Sequence, residues 1–112
     1  MKIMTSVEDA PDIFKTLGDP TRRAIFERLM REGELNVGDL TRSTEVTQPA
    51  VSQHLKALRG AGLVAEERRG RNIFYRARGE GLAPLVDWLA IYGAFWRDRF
   101  HRLEQLLKEM DQ

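Results

Sequence analysis

Gln48, Ser52, Gln53, Lys56 and Arg59 recur at spacings that gather them on one side of a helix, which turns by ~100° per residue. They comprise two amides, one hydroxyl and two cations. Amides and hydroxyls both donate and accept, so they can read base edges, while Lys and Arg pair with phosphate or guanine. A merely solvated helix face is more often laced with Glu–Lys pairs. For this segment alone, a polar amphipathic helix that reads nothing is the competing interpretation. A second group, Arg68, Arg69, Arg71 and Asn72, surrounds Gly70. At a hairpin tip these residues would meet backbone phosphate or the minor groove. Alternatively they guard a strand edge against pairing with other chains. Catalytic chemistry finds no support. Two His, no Cys, no phosphate loop and no clustered carboxylates leave no enzymatic constellation.

The charge is segregated. Residues 1–40 carry six Lys/Arg against eight Asp/Glu, residues 41–78 eight against three, and residues 79–112 four against six. The basic middle third holds both groups of candidate residues, as expected of a module that meets a polyanion through one part only. The 112 residues suit a single domain with a modest core. No apolar h-region follows Met1, and the run from Leu82 to Trp96 is too short and too interrupted to span a bilayer. With no cysteine, the expectation is a cytoplasmic protein without disulfides or membrane contact.

The elements that must position these residues follow from periodicity. Thr47 N-caps a helix with Pro49 in its first turn, Val51, Leu55 and Leu58 on its apolar face, and Ala61-Gly62 at its end. Ahead of it, Val37 to Ser43 reads as a short helix with Val37 and Leu40 inward, and Thr44-Glu45-Val46 as the turn. Residues 37–62 therefore form a helix-turn-helix. Residues 63–78 read as a β-hairpin, the wing. Upstream, Glu8-Asp9-Ala10-Pro11 starts a helix bearing Ile13, Phe14 and Leu17. Asp19-Pro20 starts another, with Ile25, Phe26, Leu29 and Met30 inward; Arg22, Arg23 and Arg28 lie elsewhere on it, solvated or paired with acids, with phosphate reach as the alternative for Arg22 and Arg23 near the N-terminus. Glu34-Leu35-Asn36 reads as a short linker with room for one strand residue, and Gly79-Glu80-Gly81 as a hinge-like break.

A long helix is expected over residues 82–110, about 43 Å at 1.5 Å per residue. Leu85, Leu89, Tyr92, Trp96, Phe100 and Leu103 continue one apolar stripe, flanked by Trp88, Ile91 and Phe95. A domain of this size spans roughly 26 Å, so its core cannot cover that stripe. A second copy of the chain is the natural partner, with Ile13 and Phe14 of the N-terminal helix joining the interface. The competing interpretation breaks the helix at Gly93 and folds it back. The fold class is thus mainly α with a small β-hairpin: one winged helix-turn-helix domain over residues 1–112 whose N-terminal and long C-terminal helices form a dimer interface.

Three stretches together resemble the ArsR-type winged helix-turn-helix repressors: Phe14-Lys15-Thr16-Leu17-Gly18-Asp19-Pro20-Thr21-Arg22-Arg23-Ala24-Ile25, Gln48 through Leu58, and Gly62-Leu63-Val64 through Gly70-Arg71 to Phe74-Tyr75. The resemblance implies a homodimeric, sequence-specific regulator of double-stranded DNA, usually a repressor. It implies major-groove contacts by Gln48, Ser52, Gln53 and His54, to which helix geometry adds Lys56 and the capping Thr47. His54, at the edge of the apolar stripe, suits a phosphate or structural role better than base reading.

Metal-sensing members of the family carry Cys-x-Cys where this chain has Asn36-Val37-Gly38, which cannot bind a soft metal. His101 and Glu104, with Asp87 and Asp98 elsewhere on the helix, are a thin set for the zinc site of other members. No metal or other cofactor is therefore expected. Trp88, Tyr92, Phe95 and Trp96 either line a pocket for an unidentified small-molecule inducer or form interface core, the second being commoner. A winged-helix protein-interaction module is the alternative function. It would show an apolar or acidic outer face on the helix after Thr47.

Overall fold

A computed structural model describes residues 10–42 and 44–111. The expected helix start at Glu8-Asp9 and the expected helix end at Ser43 lie outside the described residues. Helix α1 spans Ala10–Leu17 and α2 spans Pro20–Glu32. Asp19 caps α2, its carboxylate accepting from Arg22 N–H at 3.0 Å, with Pro20 following where no N–H is needed. Arg22 and Arg23 turn back, donating to the carbonyls of Thr16 and Leu17 at 3.3 and 2.8 Å. They close the C-terminus of α1, where cations are favoured, instead of extending toward a phosphate.

The expected linker at Leu35–Asn36 is strand β1. Asn36 also caps α3, Val37–Arg42: its side chain accepts from Asp39 N–H at 2.8 Å, while the Asp39 carboxylate accepts from Asn36 N–H at 3.3 Å. This reciprocal pair is a capping box. Helix α4, Gln48–Gly60, is capped by Thr47, whose hydroxyl accepts from Ala50 N–H at 3.3 Å. It ends in a Schellman motif. Leu63 N–H bonds to Leu58 C=O, Gly62 N–H bonds to Arg59 C=O, and Gly62 takes φ 78.

Strands β2, Val64–Arg69, and β3, Asn72–Ala77, form the hairpin. The antiparallel sheet has the order β1-β3-β2, with Leu35 opposite Tyr75, Glu67 opposite Phe74, and Arg69 opposite Asn72. A 3₁₀ turn, Gly79–Leu82, leads into α5, Ala83–Met110.

The core consists of Ile13, Ile25, Phe26, Leu29, Leu40, Val51, Leu55, Leu58, Leu63 and Val64. It locks α4 against α1, α2, α3 and the root of the wing. Met30, expected inward, is exposed because that face of α2 already points past the core. Helix α5 adds no fully buried residue to this core; Leu82 and Leu85 only lean on it. It runs unbroken through Gly93 for 28 residues, about 42 Å. The radius of gyration is accordingly 18.9 Å, against about 13 Å for a compact chain of this length. Most of α5 projects beyond the body.

Candidate nucleic-acid interface

Burying Val51, Leu55 and Leu58 fixes the rotation of α4, so the opposite face must point outward. Gln48, Ser52, Gln53, Lys56 and Arg59 are all exposed there. Arg59 pairs with Glu66 of the wing. Among the described residues, the side chains of Gln48, Ser52, Gln53 and Lys56 make no hydrogen bond or ion pair. Thr47 is exposed, but its hydroxyl is occupied by the cap. His54 is half-buried, and its Nδ1 is shut off from solvent with no partner among the described residues. That suits a structural place beside α2. The Asp19 carboxyl is held below its ordinary range, first by the Arg22 N–H and also by nearby charges that include His54.

Between α4 and the sheet lies a groove lined by Ser52, Leu55, Lys56, Arg59, Glu66 and Tyr75. Burial, reinforced by Glu66, pushes the Tyr75 hydroxyl pKa up and keeps it neutral.

The register of the hairpin divides the wing arginines. Residues two apart on a strand share a face. Glu66 and Arg68 therefore lie with Ile73 and Tyr75 on the side that meets α4, as the Arg59–Glu66 pair confirms. Glu67 and Arg69 lie with Phe74 on the reverse side. Arg69, expected beside DNA, is engaged there. It meets Glu34 through two bonds, Nη1–Oε1 and Nη2–Oε2, each 2.7 Å. It also meets Glu67 at 2.9 Å, and its guanidinium stands 4.9 Å from the Phe74 ring centre. The hydrogen bond and charge of Arg69 hold the Glu67 carboxyl below its usual range. Arg68 and Arg71 are exposed and make no ion pair among the described residues.

The residues expected at a dimer interface separate into two sets. Ile13 is 2% exposed, so it belongs to the protomer's own core and supports α1 from beneath; Leu85 is half-buried against that core. Phe14, Leu89, Tyr92, Trp96, Phe100 and Leu103 are between 42% and 62% exposed. Phe14 meets Trp88 edge-on at 5.0 Å, and Trp88 meets Tyr92 at 4.6 Å, which joins α1 to the α5 ribbon. Among the described residues, no group of three or more His, Cys, Asp or Glu converges. A cleft of about 600 Å³ lies between α1, the end of α4 and the turn at Glu80-Gly81, and none of the α5 aromatic residues lines it.

Sequence reasoning missed Glu34, which lies 35 residues from Arg69 and carries no local signal. It allowed one strand residue in the linker where two, Leu35–Asn36, join the sheet, and two residues are too few for an alternation to show.

Comparison with known proteins agrees with this geometry. Residues 19–66 match the model of the family described as bacterial regulatory protein, arsR family. The arsenic resistance transcriptional regulator ArsR1 of Pseudomonas putida is 40% identical over 77 residues, covering 69% of this chain and 60% of that protein. The transcriptional repressor SdpR of Bacillus subtilis is 31% identical over 78 residues, covering 70% of this chain and 86% of the repressor. An ArsR-like transcriptional regulator of known structure from Rhodococcus sp. RHA1 superposes with a TM-score of 0.70 at 30% identity, covering 95% of this chain and 96% of that one. The chain thus spans less than two thirds of the Pseudomonas relative but most of the other two. With the helix pair, wing and long terminal helix all in place, the chain belongs to the arsR family, and is a winged helix-turn-helix, DNA-binding transcriptional regulator rather than an enzyme.

Proposed function

We propose that the chain acts as a homodimeric repressor that reads an inverted-repeat operator. The observation that carries this is the outer face of α4, where Gln48, Ser52, Gln53 and Lys56 stand exposed without partners among the described residues. Hydrogen-bonding groups left uncommitted on a rigid helix suit the major groove. Gln48, Ser52 and Gln53 read base edges, Lys56 meets phosphate or guanine, and Thr47 lies near the backbone. Arg68 and Arg71 take phosphates flanking the site. An interaction module would need an apolar or acidic face on α4, and α4 presents neither.

The exposed ribbon on α5 supports the dimer. Leu89, Tyr92, Trp96, Phe100 and Leu103 form a contiguous apolar stripe far larger than scattered surface residues, and such a stripe marks an association surface. A second copy offers a matching stripe under two-fold symmetry. Two recognition helices so related read half-sites about one turn, ~10 bp, apart. Repression is proposed not to depend on a metal at α3, because Asn36 there is occupied as a helix cap and supplies no thiolate. Among the described residues no helix is long and apolar enough to cross a membrane, and a reader of chromosomal operators works in the cytoplasm.

The test is selection of bound fragments from random duplex DNA with metal-free protein at near-physiological salt. An inverted repeat is expected. Motif-free binding that fades with salt would refute sequence-specific reading.

A further inference from the structure

Only half of the wing is held by the sheet. β1 pairs with β3 through Leu35–Tyr75 and Asn36–Phe74, so the outer rungs, Arg68–Ile73 and Arg69–Asn72, have no third strand beside them. Along β2, burial falls from Val64 in the core to exposed positions from Glu66 onward. A two-stranded ribbon is marginal by itself, and its direction would drift with its twist. The Arg59–Glu66 pair ties the inner half, beside Tyr75, to α4; the tie that reaches the outer rungs is the Glu34–Arg69 pair. Glu34 directly follows Gly33, whose N–H closes α2 on Leu29 C=O at 3.0 Å, so it is anchored to a core helix. The pair is bidentate, and Phe74 underlies the guanidinium. A fork–fork pair fixes orientation as well as distance. Glu67, the other partner of Arg69, lies on the same strand and can orient the guanidinium but cannot tie the wing to the body.

We propose that Glu34 is a positioning residue for the wing: through Arg69, laid across Phe74 on the face away from α4, it sets where Arg68 and Arg71 meet the phosphate backbone. This rests on the DNA reading proposed above. It has a distinctive sign. A carboxylate in a DNA-binding protein repels phosphate, so a purely electrostatic account expects its neutralisation to tighten binding. Positioning expects neutralisation to weaken binding, because the freed wing must be ordered again on DNA.

The experiment uses the full chain, wild type and Glu34→Gln, with two readouts. In the absence of DNA, amide hydrogen exchange over residues 66–74 should quicken about two- to fivefold in the variant, with the melting temperature unchanged. Affinity for the selected operator duplex should fall by about two- to fivefold. Arg69→Gln should fall similarly, and the double variant should be no weaker than either single one, because both remove one tie. Operator affinity that holds or rises in Glu34→Gln, or wing exchange that does not change, overturns the proposal. If the wild type binds no duplex at all, the functional reading fails. The exchange comparison still decides whether Glu34 holds the wing, with faster exchange upholding the tie and unchanged exchange overturning it.

Discussion

Gly81→Ala tests how the body is joined to the long helix. Gly81 lies in the 3₁₀ turn at the root of α5, and an added Cβ would fall 2.9 Å from the carbonyl carbon of Gly62, 3.2 Å from Cα of Leu63, and closer still to the Gly62 oxygen. All three are backbone atoms and cannot rotate aside. They are also pinned: Gly62 and Leu63 donate into the end of α4, and Leu63 C=O accepts from Arg78 N–H at 2.8 Å. A methyl must therefore push the turn off α4. Overpacking costs about 1–3 kcal/mol, and contact with fixed backbone places this case near 3 kcal/mol. For a domain of this size each kcal/mol moves the melting temperature by about 4–8 °C, so a fall of roughly 12–24 °C is expected. Gly79 is the control. It lies in the same turn, has nothing within 4 Å of a built Cβ, and needs no left-handed φ. Gly79→Ala should be neutral or stabilising by about 0.4–1 kcal/mol. Circular-dichroism melts of the three proteins at one concentration, with operator binding measured alongside, make the comparison. If the turn were a free hinge, both variants would behave alike. A Gly81→Ala melt within about 2 °C of wild type would refute the packed elbow.

Other consequences follow from the same geometry. Replacing both Ser52 and Gln53 by Ala should lower the preference for operator over random duplex about tenfold or more while leaving non-specific binding and the melt intact; undiminished discrimination would remove these residues from the reading face. Trp96→Glu combined with Leu103→Glu should convert a dimer to a monomer in sedimentation and abolish tight operator binding, and a persisting dimer would mean that α5 is not its interface. Asp19 links stability to acid. Its folded pKa lies below the ordinary 3.8, chiefly through the Arg22 N–H, so its contribution is present above that value and is lost as pH falls through the folded pKa. Asp19→Asn keeps an acceptor for the cap but cannot titrate, so its stability should fall less steeply than wild type as the pH drops below the ordinary 3.8; parallel curves would contradict the linkage.

Much of this was legible in the chain. Val51, Leu55 and Leu58 at helical spacing announced the buried face of α4 and hence the outward face with Gln48, Ser52 and Gln53. Asp19-Pro20 and Thr47 announced helix starts, and Ala61-Gly62 announced the end of α4. Each signal acts within one or two turns of backbone, where φ/ψ preferences, capping bonds and side-chain direction depend only on near neighbours. The mismatch between the length of α5 and the size of the body was also visible, because helix rise and domain radius follow from residue counts alone.

Other features required distant segments to meet. Ile13 and Phe14 are adjacent and both apolar, yet Ile13 is in the core and Phe14 is exposed against Trp88, because the rotation of α1 is set by what it packs on. Gly79 and Gly81 look alike as letters, but only Gly81 abuts the end of α4. Arg68, Arg69 and Arg71 form one basic run, and strand pairing alone sends Arg68 toward α4 and Arg69 to the reverse side, onto a carboxylate 35 positions away. Local composition chose the types of element and their apolar faces. The contacts between elements, set by closing one shared core, assigned each charge its partner.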